Sequence, residues 1–221
     1  MSSRQVQILE AAARMIARRG VRGLRVDELA AEAGVSIGLV YYHFGDRAGL
    51  MQRTWEFINE RAEQYTKSAI DPAVDPRGHL EEMLLRELQD EPDVVENSTA
   101  WGEYRASAVF DPELGRQLRE ATAGWVRDAD DLIRAGQKTG DIDPHVVPAD
   151  AAERLTALVE GISERWVSGS LPLARARALL RSAIALELGA DRRTVQAGSE
   201  ARSPAARARP HDGVTPQPPR R

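Results

Sequence analysis

Apolar side chains recur every three to four positions along most of the first 189 residues, the period of helices that each bury one face. Ile8, Ala12, Met15 and Ile16 mark a helix from about Arg4 to Arg19, stopped at Gly20 behind the C-terminal cations Arg18 and Arg19. A second runs from about Val26 to Ala33. Asp27 and Glu28 stand against the positive end of its dipole, while Leu29 and Ala30 face inward. Gly34 can take left-handed backbone and end it. Ser36 can accept the free amides of a third helix, about Ile37 to Phe44, on which Val40 and Phe44 share the buried side. Asp46 caps a fourth helix that continues to about Lys67, ahead of Pro72 and Pro76. Further helices are punctuated at Asp90 to Pro92, Asp111-Pro112, Gly140 to Pro148 and Gly169 to Pro172. The longest spans Pro112 to Lys138, with Leu114, Leu118, Trp125, Leu132 and Ile133 along it. No strand alternation interrupts the pattern. The expected fold is all-α, a three-helix N-terminal head followed by a larger helical bundle, with about nine helices in total.

Two short helices joined by a tight turn, the second opening on a capping serine, form a helix-turn-helix, whose second helix enters the major groove of DNA. Ser36 and Gly38 sit where a helix N-terminus offers amides to phosphate or lets the backbone approach the groove. Tyr42 and His43 place donors on the outward side. Arg47, in the first turn of the fourth helix, can clamp a phosphate with two donors and has little packing reason to be there. Arg25 cannot accept an amide as a cap but can reach a phosphate. Tyr41 suits packing within the head as well as it suits DNA. Ile37 and Leu39 cannot hydrogen-bond a base; contact with a thymine methyl is the readout they permit, which favours half-sites containing A·T pairs.

Composition narrows the alternatives. A chain of 221 residues, 42 % apolar and 29 % charged, is long enough for a sizeable core. Absence of cysteine excludes disulfides, thiolate metal sites and a thiol nucleophile. No apolar run approaches the roughly 20 residues that span a bilayer, and the N-terminus lacks a signal-peptide core, so a cytoplasmic protein without membrane contact is expected. The Asn97-Ser98-Thr99 glycosylation pattern is then a coincidence. The net charge of −4 is unevenly spread. Residues 1–50 carry seven arginines and five acids, residues 190–221 seven arginines and three acids, and the acidic excess lies between them. These divisions match a DNA-binding domain at 1–50, a larger helical domain at 51–189, and an Arg- and Pro-rich tail at 190–221 expected to be disordered and solvated. None of His43, His79, His145 or His211 follows a glutamate by three residues, which removes the Glu-x-x-His pairs of di-iron bundles. Phosphate-binding glycine loops, Gly-x-Ser-x-Gly and His-Glu-x-x-His are missing as well. No metal, cofactor or catalytic residue is expected.

The set Ile8, Ala12, Gly20, Leu29-Ala30, Ala33 to Ser36, Gly38, Tyr41 to Phe44 and Arg47 to Leu50 resembles the TetR family of bacterial one-component transcriptional regulators. Later residues resemble its choline-responsive BetI-type branch: Trp101 to Tyr104, Asp111 to Leu114, Gly136-Gln137, Gly140 to Asp143 and Gly161. The resemblance implies a homodimer, a two-fold symmetric operator, and a pocket in each body whose small-molecule effector changes DNA binding. The Lys, Arg or Pro common in the family after the capping serine is replaced by Ile37, the small hydroxylated or Ala residue common two further on by Leu39, and the Ser or Thr that commonly caps helix two by Arg25.

For the effector, the large side chains Trp101, Tyr104 and Trp125 are candidates, with Glu103 and Glu160 as polar partners. Aromatic faces beside carboxylates suit a cation, although tryptophan at helical spacing also suits a core. Leu155, Leu158, Val159 and Ile162, then Leu179, Leu180, Ala183 and Ile184, form two stripes for a four-helix dimer interface or for an internal core. The leading expectation is a repressor released from DNA by its effector. A DNA-binding structural protein of the same fold without an effector is the alternative, and a helical-bundle enzyme a more distant one.

Overall fold

Helix ends fall where capping side chains stand. Ser2 and Gln5 form a reciprocal capping box that opens α1, Ser3–Arg19, in this computed structural model. A 3₁₀ turn over Val21–Gly23, which the apolar pattern does not announce, leads to α2, Val26–Glu32. Arg25 precedes α2 without capping it, as its lack of an acceptor requires. Gly34 takes φ +63°, and the returning chain bonds Val35 N to the Ala30 carbonyl at 2.9 Å. Ser36 Oγ accepts from the Leu39 amide at 3.2 Å to start α3, Ile37–Phe44. Asp46 accepts from the Gly49 amide at 2.8 Å at the start of α4, Arg47–Lys67.

The structure describes residues 1–67 and 74–189; the tail expected at 190–221 lies outside them. Four of the later helices open on a proline, whose missing amide is no loss in a first turn: α5, Pro76–Leu85; α6, Pro92–Ala108; α7, Pro112–Thr139; and α8, Pro148–Val167. The last, α9, covers Leu173–Leu188 after Pro172. Among the described residues there is no strand, and no helix is long and apolar enough to cross a membrane.

Two apolar cores result. The first joins α1, α2 and α3 through Ile8, Leu9, Ile16, Leu29 and Val40 to Leu50, Met51, Trp55 and Ile58 of α4 and to Ala100 and Tyr104 of α6. Residue 50 therefore falls inside α4, within this core. The second gathers Leu80 and Leu84 of α5, Ile133 of α7, and the inner faces of α8 and α9. Helix α6 bridges the two, packing on α1 and α4 on one side and on α7 and α8 on the other. Asn97 is fully buried at the α4–α6 contact, donating to the Ile58 carbonyl at 3.3 Å and accepting from Arg61 at 3.0 Å.

The expected dimer stripes need correction. Leu155, Val159, Ile162, Leu180 and Ile184 are buried inside the protomer, because these faces of α8 and α9 close over α5 and α7. They have no surface left to offer a second chain. Leu179 and Ala183 are half-buried, and Leu158 is 36 % exposed. On the outward side stand Ala157, Gly161, Ala178, Ala185 and Leu186, a run of small and apolar residues.

Candidate functional site

The capped turn between α2 and α3 fixes which side chains α3 presents outward. Val40 and Phe44 are drawn into the first core, and this leaves Ile37, Tyr41 and Tyr42 exposed at 45, 44 and 81 %. Ser36 and Gly38 are exposed, while Leu39 and His43 are half-buried. The rings of Tyr42 and His43 meet edge to face, with centroids 5.2 Å apart. A Cβ added at Gly38 would touch only Ser36 Oγ, at 3.9 Å, so nothing among the described residues demands glycine there. Arg25 is exposed beside Asp27 and Glu28, 3.6 Å from each carboxylate. Arg47 departs from the sequence reading in having a packing reason after all: its Nη2 donates to the Val21 carbonyl at 3.1 Å, tying the start of α4 to the 3₁₀ turn.

Below the head, α4, α5, α6, α7 and α8 surround a cavity of about 610 Å³, a volume suited to a drug-sized molecule. Trp101, Tyr104, Trp125 and Glu160, the candidates named for effector contact, all line it. Trp55 of α4 joins them, stacked on Tyr104 with ring centroids 3.5 Å apart, and Trp101 meets Tyr104 edge on at 5.6 Å. Tyr104 donates to Gln117 Oε1 at 3.0 Å. Burial, reinforced by Glu113, pushes its phenol up, so it stays a neutral donor. Val159, expected at the dimer interface, faces this cavity instead. Trp55 Nε1, Trp125 Nε1 and Ser98 Oγ, all from lining residues, are buried without a partner among the described residues. A buried donor left unpaired costs about 1–3 kcal/mol.

The lining is acidic. Glu56, Glu63, Glu87, Glu120, Asp128 and Glu160 outnumber Arg105, Arg116 and Arg127. A concave wall of one sign concentrates ions of the other. Burial pushes the Glu160 carboxyl above the usual range, Arg105 opposes that, and Glu164 reinforces it. Among the described residues, no group of histidines and carboxylates is arranged to hold a metal ion.

Glu103 does not reach the cavity. Trp101, Tyr104 and Arg105 turn one side of α6 toward it, and Glu103 lies on another, toward α1. Its Oε2 accepts from the Val21 amide at 3.3 Å. Gly20 makes room for this carboxylate, since a Cβ there would collide with it. Val21 is thus held from two directions, its amide by Glu103 of α6 and its carbonyl by Arg47 of α4. Both helices also supply walls of the cavity. The sequence reading missed this junction and Trp55; spacing along one helix does not reveal which other helix lies opposite.

A helix-turn-helix head set on a helical body with an internal cavity defines a class, the DNA-binding regulators that answer to a small molecule. Residues 8–54 match the family model of bacterial regulatory proteins of the TetR family, and residues 76–189 that of the C-terminal domain of BetI-type transcriptional repressors. A crystal structure of a TetR-family transcriptional regulator from Rhodococcus sp. is 45 % identical, covers 86 % of this chain and 100 % of its own, and superposes with a TM-score of 0.79. The HTH-type transcriptional regulator TtgR of Pseudomonas putida is 28 % identical over 180 residues, 74 % of this chain and 80 % of that one. A transcriptional regulator from Saccharomonospora viridis, solved in complex with choline, shares the fold at 23 % identity and a TM-score of 0.74, covering 82 % of this chain and 95 % of its own. The chain belongs to the TetR family of transcriptional regulators and carries a BetI-type C-terminal domain. It is a ligand-responsive, DNA-binding transcriptional regulator.

Proposed function

We propose that the chain is a cytoplasmic repressor that acts by binding rather than by catalysis, and that a cationic effector in the body releases the head from a two-fold symmetric operator. The body and the head correspond to residues 51–189 and 1–50. In this reading Ser36 and Gly38 bring the start of α3 against the DNA, and Tyr42 and His43 supply donors. Ile37 and Leu39 touch thymine methyls, while Arg25, Arg47 and Tyr41 hold the flanking backbone. Arg47 has further donors beyond the one given to Val21, so the tie and a phosphate contact are compatible.

A second copy docks on the outward side of α8 and α9, where Ala157, Leu158, Gly161, Ala178 and Leu186 are open. A Cβ at Gly161 would meet nothing within 4 Å, so a partner helix can come close there. The resulting dimer places two α3 helices on one face, spaced for successive major grooves.

One observation carries the regulatory part: the double hold on Val21 by α4 and α6, the helices that also wall the cavity. A ligand that shifts α6 relative to α4 pulls on the end of α1 through Glu103 and on the same residue through Arg47. The aromatic, acidic lining favours a cation. Titration of quaternary ammonium compounds, choline first, into a preformed complex of protein and selected duplex tests the proposal. Concentration-dependent loss of DNA affinity supports it. Affinity unchanged across the series contradicts it and favours a structural DNA-binding protein without an effector.

A further inference from the structure

The Arg105 side chain carries no hydrogen bond to the carboxylates it faces. Its Nη1 lies 3.7 Å from Glu160 Oε1 and its Nη2 lies 3.8 Å from Glu164 Oε1, both too long for one. All the same, Arg105 lines the cavity together with Glu160 of α8, Trp101 and Tyr104 of its own helix and Trp125 of α7. Glu160 and Glu164 stand one turn apart on α8 and differ in depth: their side chains are 29 and 57 % exposed.

We propose that Arg105 is a built-in competitor for the cation subsite of this cavity. In the empty protein its guanidinium neutralises Glu160; a cationic effector enters by taking its place, and Arg105 swings outward to remain with Glu164. The idea rests on the reading of the cavity as the site of a cationic effector.

Three features support the exchange. Glu160 is partly withdrawn from water and has Glu164 one turn away, so its ionised form gains from a positive charge beside it. The contact that must break is charge proximity alone, with no directional bond to lose. The long arginine stem reaches a second, more exposed carboxylate without leaving α6, so the displaced charge stays paired. Arg105 then sets the effector concentration at which the protein responds. It does so by competition and without touching the effector. An anionic effector would reverse the role, with Arg105 as its partner.

The test uses the full-length chain, with choline and its neutral isostere 3,3-dimethylbutan-1-ol as probes, read by the fluorescence of the cavity tryptophans. Arg105→Met is expected to bind choline about tenfold more tightly than the wild type. Affinity for the neutral isostere should stay within about twofold, and Arg105→Lys should stay near the wild type. Glu160→Gln should abolish the preference for choline over the isostere. Thermal melts establish that each variant is folded. Equal or weaker choline binding by Arg105→Met overturns the proposal. So does a parallel rise for both probes, which would mean that added space rather than removed charge is responsible. If choline binds neither the wild type nor Arg105→Met, the cation reading of the cavity falls as well.

Discussion

Replacing Gly38 by alanine separates stability from DNA binding within one residue. Position 38 is the second of α3, its φ is not in the left-handed region, and a Cβ there would meet only Ser36 Oγ at 3.9 Å. For folding, the methyl group therefore restricts the unfolded chain without straining the folded one. A glycine-to-alanine change at such a site adds about 0.4–1 kcal/mol, or about 1–4 °C in Tm for a protein of this size. If α3 enters the groove as proposed, the same methyl stands between the backbone and the base edges, and a two-fold dimer meets it twice. A loss of about 0.7 kcal/mol or more at each half-site lowers operator affinity roughly tenfold or more. Thermal melts and fluorescence anisotropy on one duplex at one salt concentration give both quantities. The variant is expected to melt higher and bind more weakly. Unchanged affinity would refute close backbone approach at Gly38, and a lowered Tm would refute the open space around it.

Gly49→Ala has the opposite character, because a Cβ there falls inside the van der Waals shell of the Phe44 carbonyl oxygen; denaturant melts should show a loss of about 1–3 kcal/mol. Glu103→Ala removes the acceptor of the Val21 amide, so hydrogen exchange at the end of α1 should accelerate and stability should fall by about 1–2 kcal/mol. Exchange unchanged at Val21 would show that the amide is protected by other means. Arg47→Ala should weaken binding to all duplexes about equally and lower the salt slope by about one unit, and an unchanged slope would count against its phosphate contact. Glu160→Gln is a test by pH. Burial raises the Glu160 carboxyl, so ionisation costs stability above its folded pKa and the cost is relieved as pH falls through that value. The glutamine variant should therefore melt higher than the wild type at neutral pH, with the advantage shrinking toward acid.

How far the sequence could be read depended on whether a feature is local. The end of α2 and the starts of α3 and α4 were legible because Gly34 turns the chain through its own left-handed backbone, and Ser36 and Asp46 accept amides three residues on. Trp101, Tyr104 and Trp125 stood out by size and do line the cavity, but Trp55 shares the spacing of Leu50, Met51 and Ile58 and could not be told from them. Glu103 was misplaced since two residues along a helix is more than half a turn, which carries it from the side of Trp101 to the side of α1. The stripes on α8 and α9 reveal that a face is buried and not what buries it; the protomer's own α5 and α7 do so. Arg47 held a tertiary bond to a carbonyl 26 residues earlier, which no local pattern encodes.

DNA recognition by a symmetric pair of α3 helices is tested most simply by letting the purified full-length chain select from a pool of random duplexes at moderate salt. Enrichment is expected for a site with two-fold symmetry, whose half-sites are spaced by whole turns of the double helix and contain A·T pairs opposite Ile37 and Leu39. Enrichment of no sequence, or of a single asymmetric site, would contradict it.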